Sequence, residues 1–291
     1  MIRLWREEVV LDHMYDFDYT LYRLSFDPLI AVDREKRSVK VPVALDGKKY
    51  TVEVSATGTV ERPSFIIEGQ DKQHEDELLT HIHHLFQWNV NLEEVQEHFK
   101  RTNLAALFSK FPGTPIVKEF DLYYCLMKNI IHQQLNMKFA YVLSTRFIES
   151  FGEMHDGVWF YPTPERIAEI EIEQLRGMQF SGRKSEYVIH TSQRIAGGEV
   201  DLESISDKSD EEVFEALLPI RGIGPWTVEN WLLFALGRPN LFPKADIGIQ
   251  NAVKRFFGMD RKPSKEELAD LSKDWEPYLS YASLTLWRSI E

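Results

Sequence analysis

The chain has 291 residues, 43% hydrophobic and 27% charged, and a formal net charge of −12, which bounds it at one large domain or two to three smaller ones. The acidity excludes a protein that coats nucleic acid by bulk attraction, and the single cysteine, Cys125, excludes an intrachain disulfide and a four-cysteine zinc or iron–sulfur site. No stretch approaches a membrane span of about 20 apolar residues, and the opening MIRLWREEVVLDHMYDFD is too charged for a signal peptide, so a cytoplasmic protein is expected.

Residues 1–88 read as a mixed α+β unit. Val39, Val41, Val43 and Leu45 alternate, as do Tyr50, Val52 and Val54, with Asp46-Gly47 between the two runs, the pattern of a two-residue β-hairpin. A short strand, SFIIEG, precedes DKQHEDELLTHIHHLFQW, which carries helical spacing through Leu78, Leu79, Ile82, Leu85 and Phe86. Its His81, His83 and His84 lack the carboxylate or cysteine that would complete a metal set, and read as surface histidines.

Beyond residue 88 the chain reads as helical throughout. Asn91 is a candidate N-cap with Glu94 at the third helical position; Ser209 with Glu212 and Ser264 with Glu267 form capping boxes, and Thr163-Pro164 is a cap followed by a first-turn proline. LYYCLMKNIIHQQL reads as one helix with Cys125 in its buried face. Charge is segregated: 201–215 is acidic, whereas 221–265 holds eight Lys or Arg against three acids.

RGIGPWTVENW, at 221–231, separates two amphipathic segments, one with Val213, Phe214 and Leu217, the other with Val228, Trp231, Leu232 and Ala235. The short connection makes a helix-hairpin-helix. Gly222 and Gly224 can take φ > 0, and Pro225 fits the first helical position. The amides of Gly224, Trp226 and Thr227 then point out of a helix N-terminus, a site for an anion. A bare backbone cradle suits a DNA phosphate, a contact that positions without reading bases; on geometry alone a tight αα-turn uses the same glycines.

With LLPIRGIGPWTVENW followed by LFPKADIGIQNAVKRFF, the chain resembles the helix-hairpin-helix DNA glycosylases, and among them bacterial DNA-3-methyladenine glycosylase II. The resemblance is strong over 120–291 and weaker before. It implies a mostly α fold with an α+β N-terminal domain, a small antiparallel sheet of TBP-like form. It divides the chain into 1–88, a helical domain 119–238, and a second helical domain from 89–118 plus 239–291.

The resemblance implies that Asp246 is the catalytic carboxylate, which on residues alone reads as an N-cap. It places Trp226 and Trp287 in the walls of a base pocket, although Trp287 reads equally as a core residue of a terminal helix. Asn230 stands where the bacterial relative has a pocket tyrosine, and Phe17 or Tyr19 is expected to reach the pocket from the N-terminal domain. Related glycosylases that also cut the strand carry a lysine at the position of Trp226, so lyase activity is not expected.

IIHQQLNMKFA resembles the wedge loop, with Leu135 entering the duplex and Gln133, Gln134 and Asn136 bonding the gap; without the resemblance Leu135 is an ordinary apolar helix residue. Arg183 and Lys184 are either phosphate contacts or a solvated pair. The carbonyls of Leu218, Ile220 and Ile223 match a monovalent-cation site for Na⁺ or K⁺, with no cofactor required. The activity implied is monofunctional release of alkylated purines from double-stranded DNA by a monomer that is bacterial, cytoplasmic and associated with the nucleoid when acting. Alternatives are a glycosylase for another damaged base and a non-catalytic hairpin module that grips DNA.

Overall fold

The computed structural model describes residues 4–291. Strands β1 (Leu4–Val10), β2 (Ala31–Asp33), β3 (Ser38–Leu45), β4 (Lys48–Ala56) and β5 (Ser64–Gln70) form an antiparallel sheet in the order β1-β5-β4-β3-β2. Asp46 and Gly47 both take positive φ, 49° and 72°, and pair Leu45 with Lys48, which is the I′ turn geometry that matches strand twist. Period-2 alternation buries Val39, Val41, Val43, Tyr50, Val52 and Val54.

Helices α1 (Phe17–Leu24) and α2 (Glu75–Leu85) lie with this sheet through an aromatic cluster. Phe17 sits edge-on to Phe65 at 5.2 Å and to Phe86 at 5.5 Å, and Phe65 stacks on Trp88 at 4.3 Å. Phe17 is therefore a core residue of the sheet unit, which leaves Tyr19 as the candidate of the two for the pocket. The histidine run is partly inside: His84 is exposed, His83 meets Trp88 edge-on, and His81 has a buried Nε2 without a partner among the described residues. No metal-binding cluster occurs among the described residues.

Two short helices follow, α3 (Leu92–Phe99) and α4 (Ala105–Lys110), then α5 (Leu122–His132), which is buried along most of its length, and α6 (Met137–Phe151). Helix α5 stops at His132 rather than running to Leu135, because Gln133 turns extended and Gln134 takes φ 57°. A second small hairpin interrupts the helices: β6 (Glu153–His155) and β7 (Val158–Phe160) around Asp156-Gly157, both at positive φ. The helical reading of this stretch is corrected by the same Asp-Gly signal recognised at 46–47.

Next come α7 (Pro164–Ala168), α8 (Ile172–Gly177), α9 (Gly182–Ala196), α10 (Leu202–Ser206), α11 (Asp210–Leu217) and α12 (Pro225–Trp231). Thr163 caps α7, and the Ser209–Glu212 box opens α11. Helix α12 loosens into a π-helical stretch, Leu232–Leu236, ended by Gly237 at φ 69°; single π turns of this kind gather at functional sites. The chain closes with α13 (Ile247–Phe256), α14 (Lys265–Leu271, with its Ser264–Glu267 box) and α15 (Leu279–Arg288). Segment 89–118 joins these last helices: Asn103 accepts from the Trp275 indole at 2.7 Å and donates to the Leu271 carbonyl at 2.9 Å. Among the described residues no helix is long and apolar enough to cross a membrane.

Candidate active site

Asp246 is the N-cap of α13, and its Oδ1 accepts from the Ile249 amide at 3.0 Å. Two tryptophans from other helices also point their indole N–H groups at it. Trp287 of α15 donates to Oδ1 at 3.1 Å, and Trp226 of α12 donates to Oδ2 at 3.2 Å. The structure thus shows Asp246 as an N-cap and, in the same place, as the carboxylate on which two tryptophans converge. Three N–H donors fix its rotamer, beside two half-buried aromatic rings.

Gly248 makes this possible and was missed in the sequence. A Cβ there would lie 2.8 Å from Trp287 Nε1 and 2.9 Å from Asp246 Oδ1, so only a glycine lets the indole reach the carboxylate. The available signal was a glycine in the first turn of a helix, where it costs stability and needs a reason.

Asn230 is buried, and its amide donates to the Trp226 carbonyl one turn back at 2.7 Å; its contact is with the turn that carries Trp226. Tyr19 is buried under the Arg288 guanidinium, 4.1 Å from its ring, and its hydroxyl has no hydrogen-bond partner among the described residues. Arg288 follows Trp287 on α15 and is held by Asp16 at 2.6 Å and Thr114 at 2.7 Å, so the contact shown for Tyr19 is with this arginine. Glu229, also unanticipated, lies one turn beyond Trp226. Burial raises its carboxyl to about 7 against the pull of Lys244 and Lys265, with Asp246 adding to the rise.

In the hairpin Gly222 has φ 97°, and a Cβ on it would strike the Tyr187 ring at 2.3 Å. Gly224 is extended, at φ −115° and ψ 174°, with open space where a Cβ would stand. The expectation of two left-handed glycines is thus half right, because the second must start a helix. The Thr227 amide turns back to the Gly224 carbonyl at 2.9 Å, which removes it from the outward donors; the amides of Gly224 and Trp226 have no acceptor among the described residues. The Leu218 and Ile223 carbonyls have no donor among the described residues, and that of Ile220 accepts only from Ile223.

The loop after α5 departs further from expectation. The Gln133 amide is not free to fill a gap in DNA: it donates to the Gly222 carbonyl and to Thr227 Oγ1, each at 2.9 Å. Asn136 caps α6 through Oδ1 to the Phe139 amide at 3.0 Å. Gln134 is exposed and Leu135 half-buried. Arg183 is exposed, whereas Lys184 is turned inward onto backbone carbonyls and is not a phosphate contact. Cys125 is buried, which pushes its thiol up.

The model of the HhH-GPD superfamily of base excision DNA repair proteins matches residues 127–277, the span that holds the loop, the hairpin and Asp246. The chain belongs to this superfamily. Among HhH-GPD proteins it is 52% identical over 289 residues to YfjP of Bacillus subtilis, provisionally named a DNA-3-methyladenine glycosylase, covering 99% of this chain and all of that protein. It is 33% identical over 218 residues to a B. subtilis protein named DNA-3-methyladenine glycosylase, covering 73% of this chain and 72% of the relative. A solved structure of a 3-methyladenine DNA-glycosylase from Archaeoglobus fulgidus shares the fold, with a TM-score of 0.84, 24% identity, and 98% of this chain and 97% of that chain covered. The chain is thus a DNA glycosylase of the 3-methyladenine family, a hydrolase of N-glycosyl bonds.

Proposed function

We propose that this glycosylase is monofunctional and releases alkylated purines, of the 3-methyladenine and 7-methylguanine type, from duplex DNA. The observation that carries the reading is the convergence of the Trp226 and Trp287 indoles on Asp246. Breaking an N-glycosidic bond builds positive charge on the sugar, and a carboxylate already oriented beside it stabilises that charge without reorganising. Alkylated purines are cationic and leave readily, so an aromatic face that attracts cations by roughly 0.5–2 kcal/mol discriminates them from normal bases. The buried, unpartnered Tyr19 hydroxyl is a polar handle at the margin of that pocket. Trp226 stands where a Schiff-base amine would be needed, which supports hydrolysis without strand cleavage.

In this reading the nucleotide is extruded toward Asp246, and Leu135 fills the gap with Gln134 and Asn136 beside it, offsetting part of an unstacking cost of a few kcal/mol. The amides of Gly224 and Trp226, with Gly222 setting the turn and Thr227 bracing it, grip a phosphate of the damaged duplex. A Na⁺ or K⁺ ion held by the Leu218, Ile220 and Ile223 carbonyls would steady that turn. The protein acts as a monomer in the bacterial cytoplasm, at the nucleoid.

The test is base release from duplex DNA treated with a methylating agent, comparing wild type with Asp246→Asn. Asparagine keeps the N-cap, so fold is preserved while release is expected to fall at least ~100-fold, with wild type leaving an uncut abasic strand. Strand scission by wild type would overturn the monofunctional reading, and release by neither protein would overturn the substrate class.

A further inference from the structure

Three carbonyls at the end of α5, those of Ile130, Ile131 and Gln133, accept from Lys184 Nζ at 3.0, 2.7 and 3.0 Å. Terminal helix carbonyls have no partner within the helix, and an ammonium has three donors, so the match is complete. No carboxylate shares this ammonium among the described residues. It sits at the negative end of the α5 dipole, which favours the cation, while burial pulls the ammonium down to about 8.

The residue that ends this cap reaches the other way. From Gln133, whose carbonyl Lys184 holds, the side chain bonds both the Gly222 carbonyl and the Thr227 hydroxyl. Tyr187, three residues after Lys184 and hence on the same face of α9, presses against the bare Cα of Gly222. Helix α9, the loop and the hairpin thus close a triangle. From its corner at Gln133 project Gln134, strained at φ 57° and exposed, and Leu135. A left-handed non-glycine residue persists where its surroundings over-determine it.

We propose that Lys184 and Gln133 are positioning residues, a strut that holds the wedge loop in fixed register with the phosphate-gripping hairpin so that both engage one duplex together. The proposal rests on the assignment of Leu135 as a wedge. Its physical content is preorganisation: without the strut, the ordering entropy of the loop falls due at each insertion. The strut matters only where a stacked base pair must be opened.

The experiment compares single-turnover release of 3-methyladenine from one methylated oligonucleotide, as a duplex and as a single strand, by wild type, Lys184→Met, Gln133→Met and the double variant. The strut predicts a loss of about tenfold on duplex for each single variant, as expected for removing hydrogen bonds worth ~1–1.5 kcal/mol. It predicts less than about a threefold change on the single strand, and a double variant close to either single one, because coupled residues are non-additive. Equal losses on both substrates, unchanged rates on both, or additive losses would overturn it. Gln133→Met removes only the hairpin link and leaves the α5 cap, so it carries the test if Lys184→Met does not fold. A second readout needs no chemistry: fluorescence of 2-aminopurine beside an abasic-site analogue in duplex DNA. Wild type is expected to raise it by unstacking, and the variants are expected to bind with less than half that rise. If no protein released base but this contrast held, the substrate reading would fail and the strut would stand; a full rise in the variants would sink the strut.

Discussion

At the scale of single residues, the geometry of Asp246 is set by the residues that surround it. Gly248 is the sharpest case, since its missing Cβ is the space through which Trp287 donates. Gly248→Ala creates no left-handed strain and gains about 1 kcal/mol of helix propensity, which offsets part of the lost contact, so its melting temperature should fall by no more than a few degrees. The methyl displaces the indole, and a hydrogen bond to a charged group worth ~1.5–3 kcal/mol is lost. Base release measured at saturating enzyme should therefore fall by about tenfold, and an unchanged rate would show that Trp287 does not act through Asp246. Glu229 offers a second check at this scale. Its folded value, about 7, lies above its ordinary 4.5, so the folded state binds the proton more tightly than the unfolded one. That contribution is complete below pH 4.5 and is lost as pH rises through 7. Glu229→Gln cannot ionise, and should raise the melting temperature by about 2 °C at pH 8 with little effect at pH 5. The partial exposure of the group keeps the expected gain small.

At the scale of elements, the two hairpin glycines separate folding from binding. Gly222 sits at φ 97° against Tyr187, whereas Gly224 is extended with open space around it. Gly222→Ala should cost at least ~1–3 kcal/mol, seen as an earlier urea midpoint. Gly224→Ala should leave that midpoint in place and weaken binding to duplex DNA, because its methyl enters the space a phosphate would approach. Equal stability losses in both would refute this division. The sequence carried much of this level: the caps at Thr163, Ser209 and Ser264 and the Asp46-Gly47 turn are local devices whose chemistry is written in adjacent residues. Side-chain commitments were not legible in that way. Gln133 and Lys184 look like free polar residues until partners 89 and 53 positions away along the chain are in view. The end of α5 was likewise invisible, because a lysine from α9 supplies its cap.

At the scale of the whole molecule, the parts are joined by a buried ionic node that no local pattern announces. Lys128, in the middle of the largely apolar helix α5, donates to Asp27 at 3.1 Å and to Glu119 at 2.8 Å. Asp27 follows α1 beside the sheet, Glu119 lies on the connection into α5, and Lys128 is on α5 itself, the helix that ends at the wedge loop. Burial pulls the ammonium down, and Glu119, Tyr141 and Asp27 more than reverse it. Asp27 and Lys128 are 2% and 7% exposed, so removing the cation strands carboxylates in a low dielectric. Lys128→Met should then lose ~3–5 kcal/mol, a fall in melting temperature of roughly 10 °C for a chain of this size. The expected net contribution of the ion pairs is small, because desolvating the two carboxylates as well as the ammonium offsets most of their mutual attraction. The triple variant Asp27→Asn, Glu119→Gln, Lys128→Met should accordingly recover more than half of the lost temperature. If the triple variant melts no higher than Lys128→Met, the node contributes net stability and the sheet unit is held to α5 by charge. If it recovers, packing holds them, and the charges serve to select one register between α1 and the helix that carries the loop.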